Sequence, residues 1–142
     1  MRAWKEHGLR RVAAMAAELV VEVVPCPAAD AITYIPPDGR RSKRRGYHPA
    51  EQLANELAGF WELASVPLLA RTRPVARQTG LSLGERRANV RGAFRATARP
   101  PTTVVLVDDV YTTGATVGAA ASALRTAGAR TVHAVTFARA VR

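Results

Sequence analysis

The sequence predicts an α/β fold with a mostly parallel central sheet flanked by helices. Three observations carry that expectation. Val104-Val105-Leu106-Val107 is a run of four aliphatic residues, the pattern of a strand buried on both faces. A short Thr/Gly turn follows, and then an Ala-rich stretch from Val117 to Ala127 that reads as a helix. Along the rest of the chain, helix-period and strand-like segments alternate, which favours parallel strands joined by helical crossovers.

The elements follow in order. Leu9, Val12, Ala13, Ala16, Leu19 and Val20 recur at helical spacing and predict an amphipathic helix from Arg2 to Val21. Ala31-Ile32-Thr33-Tyr34-Ile35 reads as a strand, stopped by Pro36-Pro37. Asp38 to Tyr47 is a basic loop with turn signals at Asp38-Gly39 and Gly46. Pro49 suits a first helical position, and Leu53, Leu57, Phe60, Trp61 and Ala64 mark one face of the helix it opens.

A short strand is expected over Val66 to Leu69, although Pro67 interrupts it. Arg71 to Leu81 has no clear period. Ser82-Leu83-Gly84-Glu85 has the capping-box pattern and predicts a short helix to Asn89. Ala93 to Thr97 reads as a strand and Ala98 to Pro101 as a turn. Gly128 terminates the Ala-rich helix. Thr131 to Ala138 alternates as a final strand. No repeat, low-complexity tract or linker divides residues 1–142, so one domain is expected.

Composition narrows the classes of function. A net charge of +10 and a pI near 11.3 point to an anionic ligand or partner. The charge is clustered: five of the six residues from Arg40 to Arg45 are basic, and eight arginines lie between Arg71 and Arg99. Cys26, the single cysteine, excludes an internal disulfide and a Cys-rich zinc site within the chain. No apolar run approaches the roughly 18–20 residues of a membrane span, and no secretory segment follows Met1, so a cytoplasmic location is expected.

Asp108 and Asp109 stand where the aliphatic strand is expected to stop, and open α/β sheets bind ligands at the carboxyl ends of their strands. Backbone N–H groups from Thr112 to Thr116 can converge on one concavity, with Gly114 supplying a positive φ. The next helix adds unpaired donors and the positive end of its dipole, and Thr112, Thr113 and Thr116 add hydroxyls. Such a cup suits a phosphate monoester. The two carboxylates would repel that phosphate and suit sugar hydroxyls or hydrated Mg²⁺ further along the ligand. The plainer reading is a buried strand ending in an Asp-Asp turn that caps a helix. Neither a P-loop nor a Rossmann glycine pattern is present.

The segment from Val104 to Thr116 resembles the central motif of the type I phosphoribosyltransferases. Other blocks resemble the ComF/GntX competence family: Arg45-Gly46-Tyr47 with Ala50-Glu51-Gln52-Leu53-Ala54, Arg71, Gln78-Thr79-Gly80-Leu81, Glu85-Arg86-Arg87-Ala88-Asn89-Val90 and Ala93-Phe94. They run in the family's order over about Ile32 to Phe137. His48-Pro49 and Ile35-Pro36-Pro37 depart from its pattern, and the Cys-rich zinc ribbon with which such proteins begin is absent from this sequence.

The resemblance implies a type I phosphoribosyltransferase-like domain that binds phosphoribosyl pyrophosphate with Mg²⁺ and moves its phosphoribosyl group to an acceptor. It implies that Asp108 and Asp109 take the ribose hydroxyls, directly or through Mg²⁺. Thr112, Thr113, Gly114, Ala115 and Thr116 would hold the 5′-phosphate. Arg40, Arg41, Lys43, Arg44 and Arg45 would reach the diphosphate, with nucleic-acid contact and a merely solvated loop as the other readings of that segment. Gln78, Thr79, Gly80, Arg86 and Arg87 would belong to a flap that closes over the substrate.

Some purine-salvage relatives carry an Asp acting near the base at the position of Thr112, so no general base is assigned. His133, on an expected strand, reads as structural, and His48 lies beside the basic loop. Three functions stay open: a transferase, a non-catalytic sensor of a phosphoribosyl ligand, and a nucleic-acid-binding accessory factor in DNA uptake. Type I relatives also imply a homodimer.

Overall fold

In the computed structural model, residues 2–37, 48–73, 92–111 and 113–139 are described, with side chains for all of these except 2–10 and 139. Four strands form a wholly parallel sheet: β1 (Ala31–Tyr34), β2 (Ala64–Ser65), β5 (Thr103–Tyr111) and β6 (Thr131–Arg139), in the order β2-β1-β5-β6. Three helices accompany it: α1 (Arg2–Val23), α2 (Pro49–Trp61) and α3 (Ala115–Thr126). A separate antiparallel pair, β3 (Leu69–Arg71) with β4 (Phe94–Ala96), packs beside α3.

The alternation of side chains along β5 explains the two-sided core. Val105 and Val107 point to the layer of α1 and α2, where Ile32, Leu53, Leu57, Trp61 and Val135 join them. Val104 and Leu106 point to the opposite layer, with Phe94, Val117, Ala120 and Leu124. All four residues of the aliphatic run are essentially inaccessible to water. A strand in this position has no polar face, which is why its sequence does not alternate.

Polar contacts set the connections. The fully buried Thr33 hydroxyl accepts the N–H of Leu68 at 3.1 Å, holding the chain where it leaves β2 for β3. Tyr34 donates its hydroxyl to Glu51 Oε1 at 3.1 Å, which ties the end of β1 to the first turn of α2. Burial and this acidic partner push the Tyr34 phenol up to about 12. At the other end of the sheet, Asp30 and Thr103 exchange two hydrogen bonds of 2.9 Å that fix β1 against β5.

Several expectations need correction. The strand expected over Val66 to Leu69 is two short strands, Ala64–Ser65 and Leu69–Arg71, belonging to different sheets. Pro67, which has no N–H to give a ladder, falls between them. Phe60 is half exposed and Ala64 lies in β2, whereas Ala54 and Ala58 complete the buried face of α2. On α1 the buried residues among those described are Ala13, Ala16, Ala17 and Val20, while Val12 and Leu19 face outward and the side chain of Leu9 lies outside the described residues. Close approach of a helix favours its smallest side chains, and Ala supplies them here.

The strand at the centre is also longer than its aliphatic run. Pairing to β6 carries β5 through Asp108 and Asp109 to Tyr111, so the carboxylates lie inside the strand. Pairing with β1 stops earlier, at Tyr34 opposite Val107, with one further bond from the Ile35 N–H to the Val107 carbonyl at 2.9 Å. Among the described residues, the last four of β5 therefore have a strand neighbour on the β6 side only. Among the described residues no helix is long and apolar enough to cross a membrane.

Candidate functional site

The site is the carboxyl end of β5 and the turn after it. Asp108 and Asp109 are half-buried and consecutive in a strand, so their side chains leave opposite faces of the sheet edge. They nevertheless interact. The Asp109 N–H donates to Asp108 Oδ1 at 2.9 Å, and the Val110 N–H donates to Asp109 Oδ1 at 3.0 Å. Burial first, and then the neighbouring Asp109 carboxyl, push Asp108 up to about 7. Two acids crowded at the edge of a low-dielectric core resist carrying two negative charges, and a cation there relieves both penalties.

Arg71, at the end of β3, opposes that rise. Its positive charge pulls Asp108 back down. Its Nε donates to the Pro36 carbonyl at 2.9 Å, and its guanidinium lies 4.8 Å from the centre of the Phe94 ring. The sequence marks Arg71 only as one residue of a block shared with a family. Its contacts at Pro36 and Phe94, and its influence on Asp108, link segments 23 to 37 residues away, which no local spacing reveals.

The turn enters α3 through Gly114, whose φ of +73° is left-handed. Its lack of a side chain matters twice. A Cβ there would collide with the Tyr111 hydroxyl and lie 2.8 Å from Cζ of the same ring. Tyr111 therefore lies across the turn. The Gly118 N–H donates to the Gly114 carbonyl at 2.8 Å, and the Ala115 N–H donates to the Thr113 hydroxyl oxygen across a long 3.4 Å. That contact is weak enough for an anion to displace. Ala115 is buried and Thr116 half-buried in the first turn.

Asp108, Asp109, Thr113, Gly114, Ala115 and Thr116 are thus gathered at one end of one strand. Thr112, the basic residues Arg40, Arg41, Lys43, Arg44 and Arg45, and Gln78, Thr79, Gly80, Arg86 and Arg87 lie outside the described residues. His48 is the N-cap of α2, and His133 sits on β6 opposite Val105. A cleft of about 770 Å³ runs from the turn along α3, lined in part by Phe94, Arg95, Tyr111, Gly114, Gly118 and Ser122. Asp108 and Asp109 are not among its lining residues, so cavity size alone would miss the carboxylates.

No cluster of three or more His, Cys, Asp or Glu side chains that could hold a metal exists among the described residues. Two adjacent carboxylates, with the Asp108 charge opposed by burial, are a fitting partial set for a hard cation such as Mg²⁺, which keeps waters and takes further oxygens from its ligand.

A parallel sheet whose central strand carries paired carboxylates in its second half, followed by a left-handed glycine turn into a helix, defines a phosphoribosyltransferase-type domain. The chain belongs to the phosphoribosyl transferase domain family, whose model matches residues 43–141. Its relatives include Competence protein F of Haemophilus influenzae, 30% identical over 142 residues that make up 96% of this chain and 62% of that protein. The DNA utilization protein YhgH of Salmonella typhi is 36% identical over 112 residues, 75% of this chain and 48% of that protein. The chain thus spans only about half to three-fifths of the length of these curated relatives. The fold is that of the glutamine phosphoribosylpyrophosphate amidotransferase from B. subtilis, with a TM-score of 0.59 at 23% identity, covering 91% of this chain and 26% of that one.

Proposed function

We propose that the chain binds phosphoribosyl pyrophosphate together with Mg²⁺ at the carboxyl end of β5, as a site for phosphoribosyl transfer to an acceptor. The observation that carries this reading is the acid pair set five residues before a positive-φ glycine at the start of α3. In this reading Asp108 and Asp109 hold the ribose hydroxyls, directly or through the cation. Thr112, Thr113, Gly114, Ala115 and Thr116 hold the 5′-phosphate at the positive end of α3. Arg40, Arg41, Lys43, Arg44 and Arg45 hold the diphosphate, a reading supported by their following β1 in sequence and by the fit of guanidinium forks to phosphate oxygens.

Displacement of diphosphate from C1 of the ribose builds positive charge on the sugar and negative charge on the leaving group. The protein's part is positioning and electrostatics. The Asp carboxylates lie on the side where sugar charge grows, and the basic loop faces the departing diphosphate. Gln78, Thr79, Gly80, Arg86 and Arg87 close over the site and exclude water. The cation, when bound, neutralises the leaving group.

Calorimetry tests the reading. The wild-type chain binds phosphoribosyl pyrophosphate in Mg²⁺ and loses binding in a chelator. Asp108→Asn with Asp109→Asn weakens binding at least about 100-fold, about 2.7 kcal/mol, with an unchanged circular dichroism spectrum. A wild-type chain indifferent to millimolar ligand in Mg²⁺ overturns it. Release of pyrophosphate across a panel of nucleobases then separates a transferase from a sensor.

A second reading rests on different observations. Relatives are named for competence and DNA utilization, and the chain carries a charge of +10. A cytoplasmic accessory factor that contacts nucleic acid through its basic loop would show a steep fall of DNA affinity with salt.

A further inference from the structure

The cleft along α3 is far larger than a phosphate site needs. It begins at Thr113, Gly114 and Ala115 of the turn and continues past Ala119 and Ala123 to Ala127, the C-cap of the helix. The helical rise makes that run about 18 Å long. Its volume of about 770 Å³ falls in the range of roughly 300–1,000 Å³ of clefts that enclose a whole small ligand. Neither Asp108 nor Asp109 lines it, so a ribose held on that pair stays outside.

Both walls suit an occupant. Gly118 stands inside α3, where glycine weakens a helix relative to alanine. A Cβ there would meet nothing within 4 Å among the described residues, so their packing does not require the glycine. A group lying close against the helix would give it a use. Ser122 and Thr126 follow on the same face at intervals of four, both exposed, and offer hydroxyls. The facing wall, β4, carries Arg95, which is exposed and is the one charged residue among the described lining. No acid lines the cleft to oppose it, and Asp108 and Asp109 are the only acids from residue 86 to residue 142. The cleft therefore favours an anion.

We propose that this cleft takes a phosphoribosyl ligand extended beyond its 5′-phosphate, with a second phosphate on Arg95 and a nucleoside laid along Gly118, Ser122 and Thr126. The inference rests on the 5′-phosphate lying at the turn, as in the proposed function, and names a class of ligand which that reading leaves open. Thr113, Gly114 and Ala115 form both the turn and the head of the cleft, so a substituent on that phosphate enters the cleft directly. The guanidinium fork of Arg95 matches phosphate oxygens. The half-buried Tyr111 ring at the head, with Ala119 and Ala123 below it, offers apolar surface to the flat body of a base. A ligand that ends at its 5′-phosphate uses none of these groups.

Calorimetry on the full chain in Mg²⁺, with ribose 5-phosphate, phosphoribosyl pyrophosphate and ADP-ribose, tests this. ADP-ribose presents the same ribose 5′-phosphate with the extension attached. It should bind at least about tenfold more tightly than ribose 5-phosphate. Gly118→Leu, Ser122→Trp and Arg95→Glu should each weaken ADP-ribose at least about tenfold and leave the other two ligands within about twofold. All three positions are exposed, and circular dichroism checks that each variant is folded. Arg95→Lys, which keeps the charge, recovers most of the loss. ADP-ribose bound no better than ribose 5-phosphate, while phosphoribosyl pyrophosphate binds, overturns the extension and leaves the proposed function standing. Binding of ADP-ribose that none of the three variants weakens overturns the assignment to this cleft. A chain that binds ADP-ribose but not phosphoribosyl pyrophosphate supports the extension and overturns the proposed function. Indifference to all three ligands overturns both.

Discussion

The two halves of β5 share a strand, a sheet and a register to β6, yet they have opposite chemistry. Val104 to Val107 are sealed between two layers, while Asp108 to Tyr111 extend past β1 and emerge partly into solvent. The first half makes the second possible. A rigid, dry strand fixes where the carboxylates stand, and its pairing with β1 ends before it reaches them. The difference teaches that the acid pair is positioned by the length of its neighbours as much as by its own sequence.

The largest expected effect separates the halves by stability. Leu106→Ala leaves a cavity between β5 and α3 and lowers unfolding free energy by about 2–5 kcal/mol in denaturant titration. Affinity for a phosphoribosyl ligand in the folded fraction stays within about twofold. A large loss of affinity without loss of stability would show that the sealed half does more than support.

Gly114→Ala comes next. It forces a side chain into a left-handed conformation at about 1–2 kcal/mol, before Tyr111 is displaced. The fall in thermal stability should be smaller than for Leu106→Ala. If the loss instead vanishes in a Tyr111→Ala background, the collision with the ring, and not the backbone, is the dominant cost.

The smallest effect concerns pH. The Asp108 carboxyl is raised above its unfolded value, so its contribution to stability is fully present below about pH 4 and is lost as pH rises through about 7. Asp108→Asn removes this dependence. The melting temperature of the variant relative to wild type should therefore climb by a few degrees between pH 4 and pH 8, as followed by calorimetry. A flat difference would mean that Asp108 titrates normally.

Much of this molecule could be read from its sequence because the informative patterns are local. Four consecutive aliphatics announced the central strand, and Thr-Gly between strand and helix announced the turn. The failures were non-local. The strand continues through Asp108 and Asp109 because nine-residue β6 pairs with it that far, a fact that belongs to residues 131–139. The bulky Val12 and Leu19 suggested the inner face of α1, whereas close packing selected alanines. Arg71 could be marked but not given a task, since its partners are distant in the chain.

Arg71 also has a mechanical meaning. One guanidinium ties the β3–β4 pair to Pro36, lies over Phe94 and tempers the charge of Asp108. The position of the β3–β4 pair and the charge at Asp108 are thus linked. If β3 and β4 swing away from Pro36, a positive charge leaves with them and the acid pair becomes harder to ionise. Whatever neutralises the pair from outside weakens the pull on that charge in turn, so a single side chain couples the β3–β4 pair to the carboxylates.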